Sequence, residues 1–165
     1  MLSRRSFVLA ATAAALAPSA LFSQAFAQGR AVGDIKVDLS RLRASGWAGQ
    51  PLSVIDASLR RALAAAFGPG GGGPTLIVRV TKVTLGVNTG SGAGDRGRAM
   101  GESTSDYMEG ELVLVGRNGS VIAQQPLLNA LNSNSSGNWW SETNELNRLS
   151  ALATSYGYWA KRQLG

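Results

Sequence analysis

Tyr107-Met108-Glu109-Gly110-Glu111-Leu112-Val113-Leu114-Val115-Gly116-Arg117-Asn118-Gly119-Ser120-Val121-Ile122-Ala123-Gln124-Gln125 decides the architecture of this chain. Met108, Leu112 and Leu114 fall in one phase and Tyr107, Glu109 and Glu111 in the other, so a strand over Tyr107 to Val115 has one apolar and one wet face. Asn118-Gly119 is the strongest short hairpin signal in the chain, and Val121 to Gln125 returns as the fourth strand before Pro126. A sheet that is apolar on one side needs a covering layer, and amphipathic helices lie on both sides of this hairpin in the sequence.

Upstream, Thr75 to Val87 is rich in Val, Ile and Thr and reads as a long strand. Leu76, Val78 and Val80 favour one face and Val83, Leu85 and Val87 the other, a change of phase that predicts a bulge near Thr81-Lys82. Before it, Leu52, Ile55, Leu59, Leu63 and Phe67 recur every three or four residues, the stripe of a helix from Ser53, its N-cap, to Phe67. Gly68-Pro69 stops that helix, and Gly70 to Pro74 is a connector without the Lys and Ser/Thr of a phosphate loop. Ile35 to Leu39 alternates as a short strand, followed by a loop over Ser40 to Gln50. Downstream, Leu146, Leu149, Ala153, Tyr156 and Ala160 mark a helix over Ser141 to Gln163, with Lys161-Arg162 at the negative end of its dipole. The order β-α-β-β-β-α predicts an α+β fold, a mixed four-stranded sheet with two helices packed on one face.

The first 27 residues have a different character. Arg4 and Arg5 form a positive start, Phe7 to Ala17 an apolar run, and Ala25 and Ala27 the small-residue site at which a signal peptidase cuts. Ser3, Arg4, Arg5, Phe7 and Leu9 resemble the twin-arginine export signal, with Val8 in place of the commoner Leu. That resemblance implies recognition by the twin-arginine translocase, a periplasmic address and a mature domain over 28–165; the general secretory route is the alternative. Pro18 interrupts the apolar run short of the roughly 20 residues that span a bilayer, so no stable membrane span is expected after cleavage.

Cysteine and histidine are both absent. Disulfides, thiolate or imidazole metal sites and His-activated nucleophiles are therefore excluded, and no cofactor or metal is expected. Loss of Arg4 and Arg5 lowers the formal charge from +6 to +4, and the remaining basic residues are scattered, not gathered in a stripe, so no nucleic acid partner is expected.

Three constellations invite a functional reading. The segment 86–105 is far longer than an ordinary hairpin connection, is rich in Gly, and carries Arg96 and Arg98, which could meet an anionic partner. Asp106, Glu109 and Glu111 form the densest acidic cluster; strand alternation sets Glu109 and Glu111 roughly 6–7 Å apart on one exposed face. Trp139, Trp140, Tyr156, Tyr158 and Trp159 gather five of the eleven aromatics in the last 27 residues. Tyr156 points inward by helical spacing, whereas Trp139 and Trp140 are candidates for contact with a partner or a glycan. The order of elements resembles small α+β domains of the bacterial envelope, including lipoprotein families and outer-membrane assembly accessories, without a shared residue motif. The expectation is an exported periplasmic binding or accessory module without catalytic residues, its partner an envelope protein or a glycan. The alternative is a carboxylate-dependent enzyme acting on envelope glycans.

Overall fold

Alternation along four segments builds one mixed sheet, and the helices that follow the 3.6-residue period cover it. The computed structural model describes residues 32–86, 105–133 and 143–164. Among these the order is β1 (Ile35–Asp38), α1 (Ser40–Ala44), α2 (Gly49–Phe67), β2 (Thr75–Thr84), β3 (Ser105–Val115), β4 (Val121–Asn132) and α3 (Asn144–Gln163). The strands lie side by side in sequence order; β1 runs parallel to β2, and β2, β3 and β4 are antiparallel neighbours. The chain is thus α+β, with α2 and α3 over one face of a mixed four-stranded sheet.

The core forms between that face and the helices. Leu76, Val78 and Val80 from β2 and Met108, Leu112 and Leu114 from β3 meet Ile55, Leu59 and Leu63 of α2 and Leu149, Leu152 and Tyr156 of α3. The bulge lies where the phase of β2 changes: the β2–β3 register shifts between Val80 and Lys82, and the Thr81 hydroxyl donates to the Glu109 carbonyl at 3.1 Å. One extra residue returns Val83 to the core beside Val80, with Leu85 packed against it, instead of turning them to the opposite face. The hairpin closes one residue earlier than an Asn118-Gly119 turn would: the Gly119 N–H donates to the Gly116 carbonyl at 2.9 Å, so Arg117 and Asn118 are the central residues, Gly119 follows at φ +80°, and the Asn118 carboxamide oxygen accepts the Ser120 N–H at 3.1 Å.

The structure corrects three further local expectations. The first long helix starts at Gly49, one turn before Ser53, whose hydroxyl donates to the Gly49 carbonyl instead of capping. Pro51 falls in that first turn, where a missing N–H breaks no helical bond. The Ser40 to Gln50 loop contains the short helix α1, started by the Asp38 carboxylate accepting the Ser40 N–H at 3.0 Å. Finally, β4 continues through Pro126 to Asn132; it is the edge strand, the place in a sheet where proline is tolerated.

Across the outer face runs a polar ladder that follows the strand register. Asp38, Arg79 and Glu111 are direct neighbours on β1, β2 and β3. Arg79 donates to Asp38 at 2.9 Å and to Glu111, and Gln124 of β4 donates to the other Glu111 oxygen. Two hydrogen bonds from Ser40, with Arg79 behind them, hold the Asp38 carboxyl down to about 2.

Candidate functional site

Two places in the described residues combine chemistry with geometry: a buried ion pair at the root of segment 87–104, and a groove between α3 and β4.

Asp106 shares its strand phase with Met108 and so points into the core, away from Glu109 and Glu111. It is fully buried, and so is nearly all of Arg148, one turn into α3. The guanidinium grips the carboxylate with two nitrogens, Nε to Oδ2 at 2.9 Å and Nη2 to Oδ1. The same carboxylate accepts the Gly86 N–H at 2.9 Å, and Arg148 donates to the Gly86 carbonyl at 2.7 Å. Both backbone groups of Gly86, the strand that re-enters at Asp106, and α3 are thereby tied at one point. Charge meets charge and both carboxylate oxygens accept hydrogen bonds, so the cluster acts as a structural clamp.

Glu109 and Glu111 do face outward together, and each has a cationic neighbour. Lys82 stands 3.4 Å from Glu109, and Arg79 holds Glu111. Among the described residues no group of three or more acids comes together in a way that could hold a metal ion. Nor is any described helix long and apolar enough to cross a membrane.

The aromatic cluster divides. Tyr156 is fully buried, its ring over Gly110, where an added Cβ would stand 2.6 Å from the phenol oxygen. Among the described residues that hydroxyl has no hydrogen-bond partner, and burial pushes its pKa up, with the negative charge of Glu111 adding to the effect. Tyr158 and Trp159, on the next positions of α3, are exposed. With Thr154, Ser155 and Arg162 of the same helix and Leu131 of β4, they line an open groove of about 490 Å³. The Arg162 guanidinium lies over the Trp159 ring, 4.5 Å from its centre.

Along the inner side of β4 near this groove, Asn129 is buried at 3% exposure, with its Oδ1 3.4 Å from the Ser155 hydroxyl and its Nδ2 without a partner among the described residues. Further along, Gln125 donates to Gln163 at 2.9 Å while its own oxygen finds no partner among the described residues. From the sequence neither Leu131, Thr154 nor Ser155 stands out, and Arg162 reads only as a charge suited to the end of its helix; the signal that could have found it is its place three residues after Trp159 on one helix. Arg4, Arg5, Phe7, Ala25, Ala27, Arg96, Arg98, Trp139 and Trp140 lie outside the described residues. Comparison with protein-family models, with curated proteins and with solved structures gives no match.

Proposed function

We propose that this chain is exported through the twin-arginine translocase and works in the periplasm as a non-catalytic binding or accessory module whose contact surface is the groove between α3 and β4. The observation that carries the binding half is the groove itself, an aromatic and apolar hollow with one guanidinium on its rim, built on a helix locked into the core. The engagement of Asp38, Asp106, Glu109 and Glu111 by arginine or lysine weakens the reading as a carboxylate-dependent glycan hydrolase. Such an enzyme needs one acid in an apolar pocket, held protonated near neutral pH.

The export half rests on Arg4, Arg5 and Phe7 and on the Ala25 and Ala27 cleavage site. Replacing Arg4 and Arg5 by Lys is expected to hold the precursor in the cytoplasm, read by cell fractionation; unchanged export would reduce the address to the general secretory route. For the binding half, the purified protein and a Trp159→Ala/Arg162→Gln variant are offered to soluble envelope extract and to soluble peptidoglycan fragments. The expected result is a ligand retained by the parent and lost by a variant that stays folded by circular dichroism. New reducing ends released from peptidoglycan, and abolished by Glu109→Gln, would instead establish the hydrolase.

A further inference from the structure

We propose that the free edge of β4, over Leu127 to Leu131, accepts an extended peptide segment of a partner protein as a fifth strand, with a carboxylate of that segment set against Arg162. The inference rests on the binding-module reading and names its ligand class.

The first ground is the edge. Among the described residues β4 pairs only with β3, so every second residue of a 12-residue strand directs its N–H and C=O away from the sheet. At the other edge β1 is only 4 residues long. Pro126 removes a donor near the middle of β4, which leaves the run after it as the continuous template.

The second ground is what flanks that edge. The exposed large apolar side chains among the described residues are Tyr107, Val121, Ile122, Leu128, Tyr158 and Trp159. Leu128, at 63% exposure, stands on the outer face of the sheet, where Glu109 is its neighbour on β3. Tyr158 and Trp159 stand on the inner side, across the groove from Leu131. Successive side chains of an added strand point to opposite faces, so one set would cover Leu128 and the other would enter the groove.

The third ground is charge and unmet valence. Arg60, Arg79 and Arg148 each hold a carboxylate. Arg162, by contrast, has only the Trp159 ring, and no carboxylate of the described residues reaches it. Behind the groove wall the buried Asn129 Nδ2 has no acceptor among the described residues. A sugar stacked on Trp159 would use neither the strand edge nor Leu128. A second copy adding β4 to β4 along its full length about a two-fold axis would bring both prolines toward the middle of the new ladder, where each lacks a donor, and one paired over Leu127 to Leu131 alone would bring no carboxylate from that run to Arg162.

The test uses the purified folded protein and three synthetic probes: acetyl-Thr-Val-Thr-Val-Thr-Val-Asp-amide, the same peptide ending in Asn, and the Asp peptide N-methylated at alternate amides in each of the two phases. Hydrogen exchange of the protein amides and the tryptophan fluorescence are followed up to about 1 mM peptide. The expected result is slowed exchange at Leu128 and Ala130, whose N–H groups share the open side with position 126, with binding weakened about tenfold by the Asp-to-Asn change. One N-methylated phase should lose binding while the other keeps it. Arg162→Gln should erase the preference for Asp, and Leu128→Lys should weaken all probes alike.

Equal binding of both N-methylated phases, or no slowing at Leu128 and Ala130, overturns strand addition. If the groove still retains an envelope ligand in a Trp159-dependent way, the module reading survives that loss. Slowed exchange that appears with rising protein concentration and no peptide would assign the edge to a second copy. A fluorescence response to peptidoglycan fragments with β4 exchange unchanged would assign the groove to glycan.

Discussion

Arg148 and Asp106 show how much one pair of residues decides. Each is expensive to bury alone, and each is affordable only because the other, and Gly86, satisfies it. Arg148→Met leaves a fully buried carboxylate with only the Gly86 N–H, and is expected to cost about 3–5 kcal/mol in urea unfolding. The double change Asp106→Leu/Arg148→Met removes both charges and is expected to recover most of that loss. If the single and the double variants were equally unstable, the pair would be contributing shape alone. With the strand begun at Tyr107, the sequence groups Asp106 with Glu109 and Glu111; extending the alternation back to Asp106 gives it the core phase of Met108, where an acid demands a buried cation. The identity of that cation was not legible: Arg148 lies 42 residues away, and it passed for one of many scattered surface charges. Only the crossing of α3 over the root of β3 selects it.

At the scale of elements, the hairpin and the two long helices were legible because their apolar periods are unbroken and their turn carries Asn-Gly. What was not legible came from signals that tertiary context overrides. Ser53 looks like a cap, yet the apolar stripe already includes Leu52, which can be buried only if the helix begins before it. Pro126 looks like a stop, yet an edge strand needs no donor on its open side. The packing of α2 on α3 depends on a feature that no periodicity shows: at Gly157 the helices come so close that an added Cβ would stand 2.7 Å from the Cβ of Ala62. Alanine is the better helix former by about 1 kcal/mol, but forcing these helices apart costs about 1–3 kcal/mol, so Gly157→Ala should destabilise. Adding Ala62→Gly opens the facing position and should restore part of the loss in thermal unfolding. A Gly157→Ala variant that melts higher than the parent would mean that the interface yields freely.

For the whole molecule, the composition that excluded metals and disulfides also fixes the dependence of stability on pH. A chain without His or Cys has no side chain whose ordinary pKa lies between 5 and 8, so the urea midpoint should be flat across that range. The plateau ends on each side at a group the fold perturbs. Asp38 is held down to about 2 by its Ser40 hydrogen bonds and by Arg79, against 3.8 ordinarily, so the unfolded chain takes up the proton more readily. Its contribution is complete above the ordinary value and is lost as pH falls through the folded one. With the side chain 29% exposed, solvent screening leaves about 1 kcal/mol, and Asp38→Asn should flatten the acid limb by that much. Tyr156 bounds the alkaline side. Burial raises its pKa, so the unfolded chain ionises first, and stability present below about pH 10 is lost above it. Because the hydroxyl has no partner among the described residues, Tyr156→Phe should cost little at neutral pH and should remove the alkaline loss assigned to this residue. Urea midpoints of the parent and both variants from pH 2.5 to 11 decide the matter. A slope between pH 5 and 8 that neither substitution removes would require a carboxylate held far above its ordinary range, the very group that the ion pairs of this fold otherwise deny it.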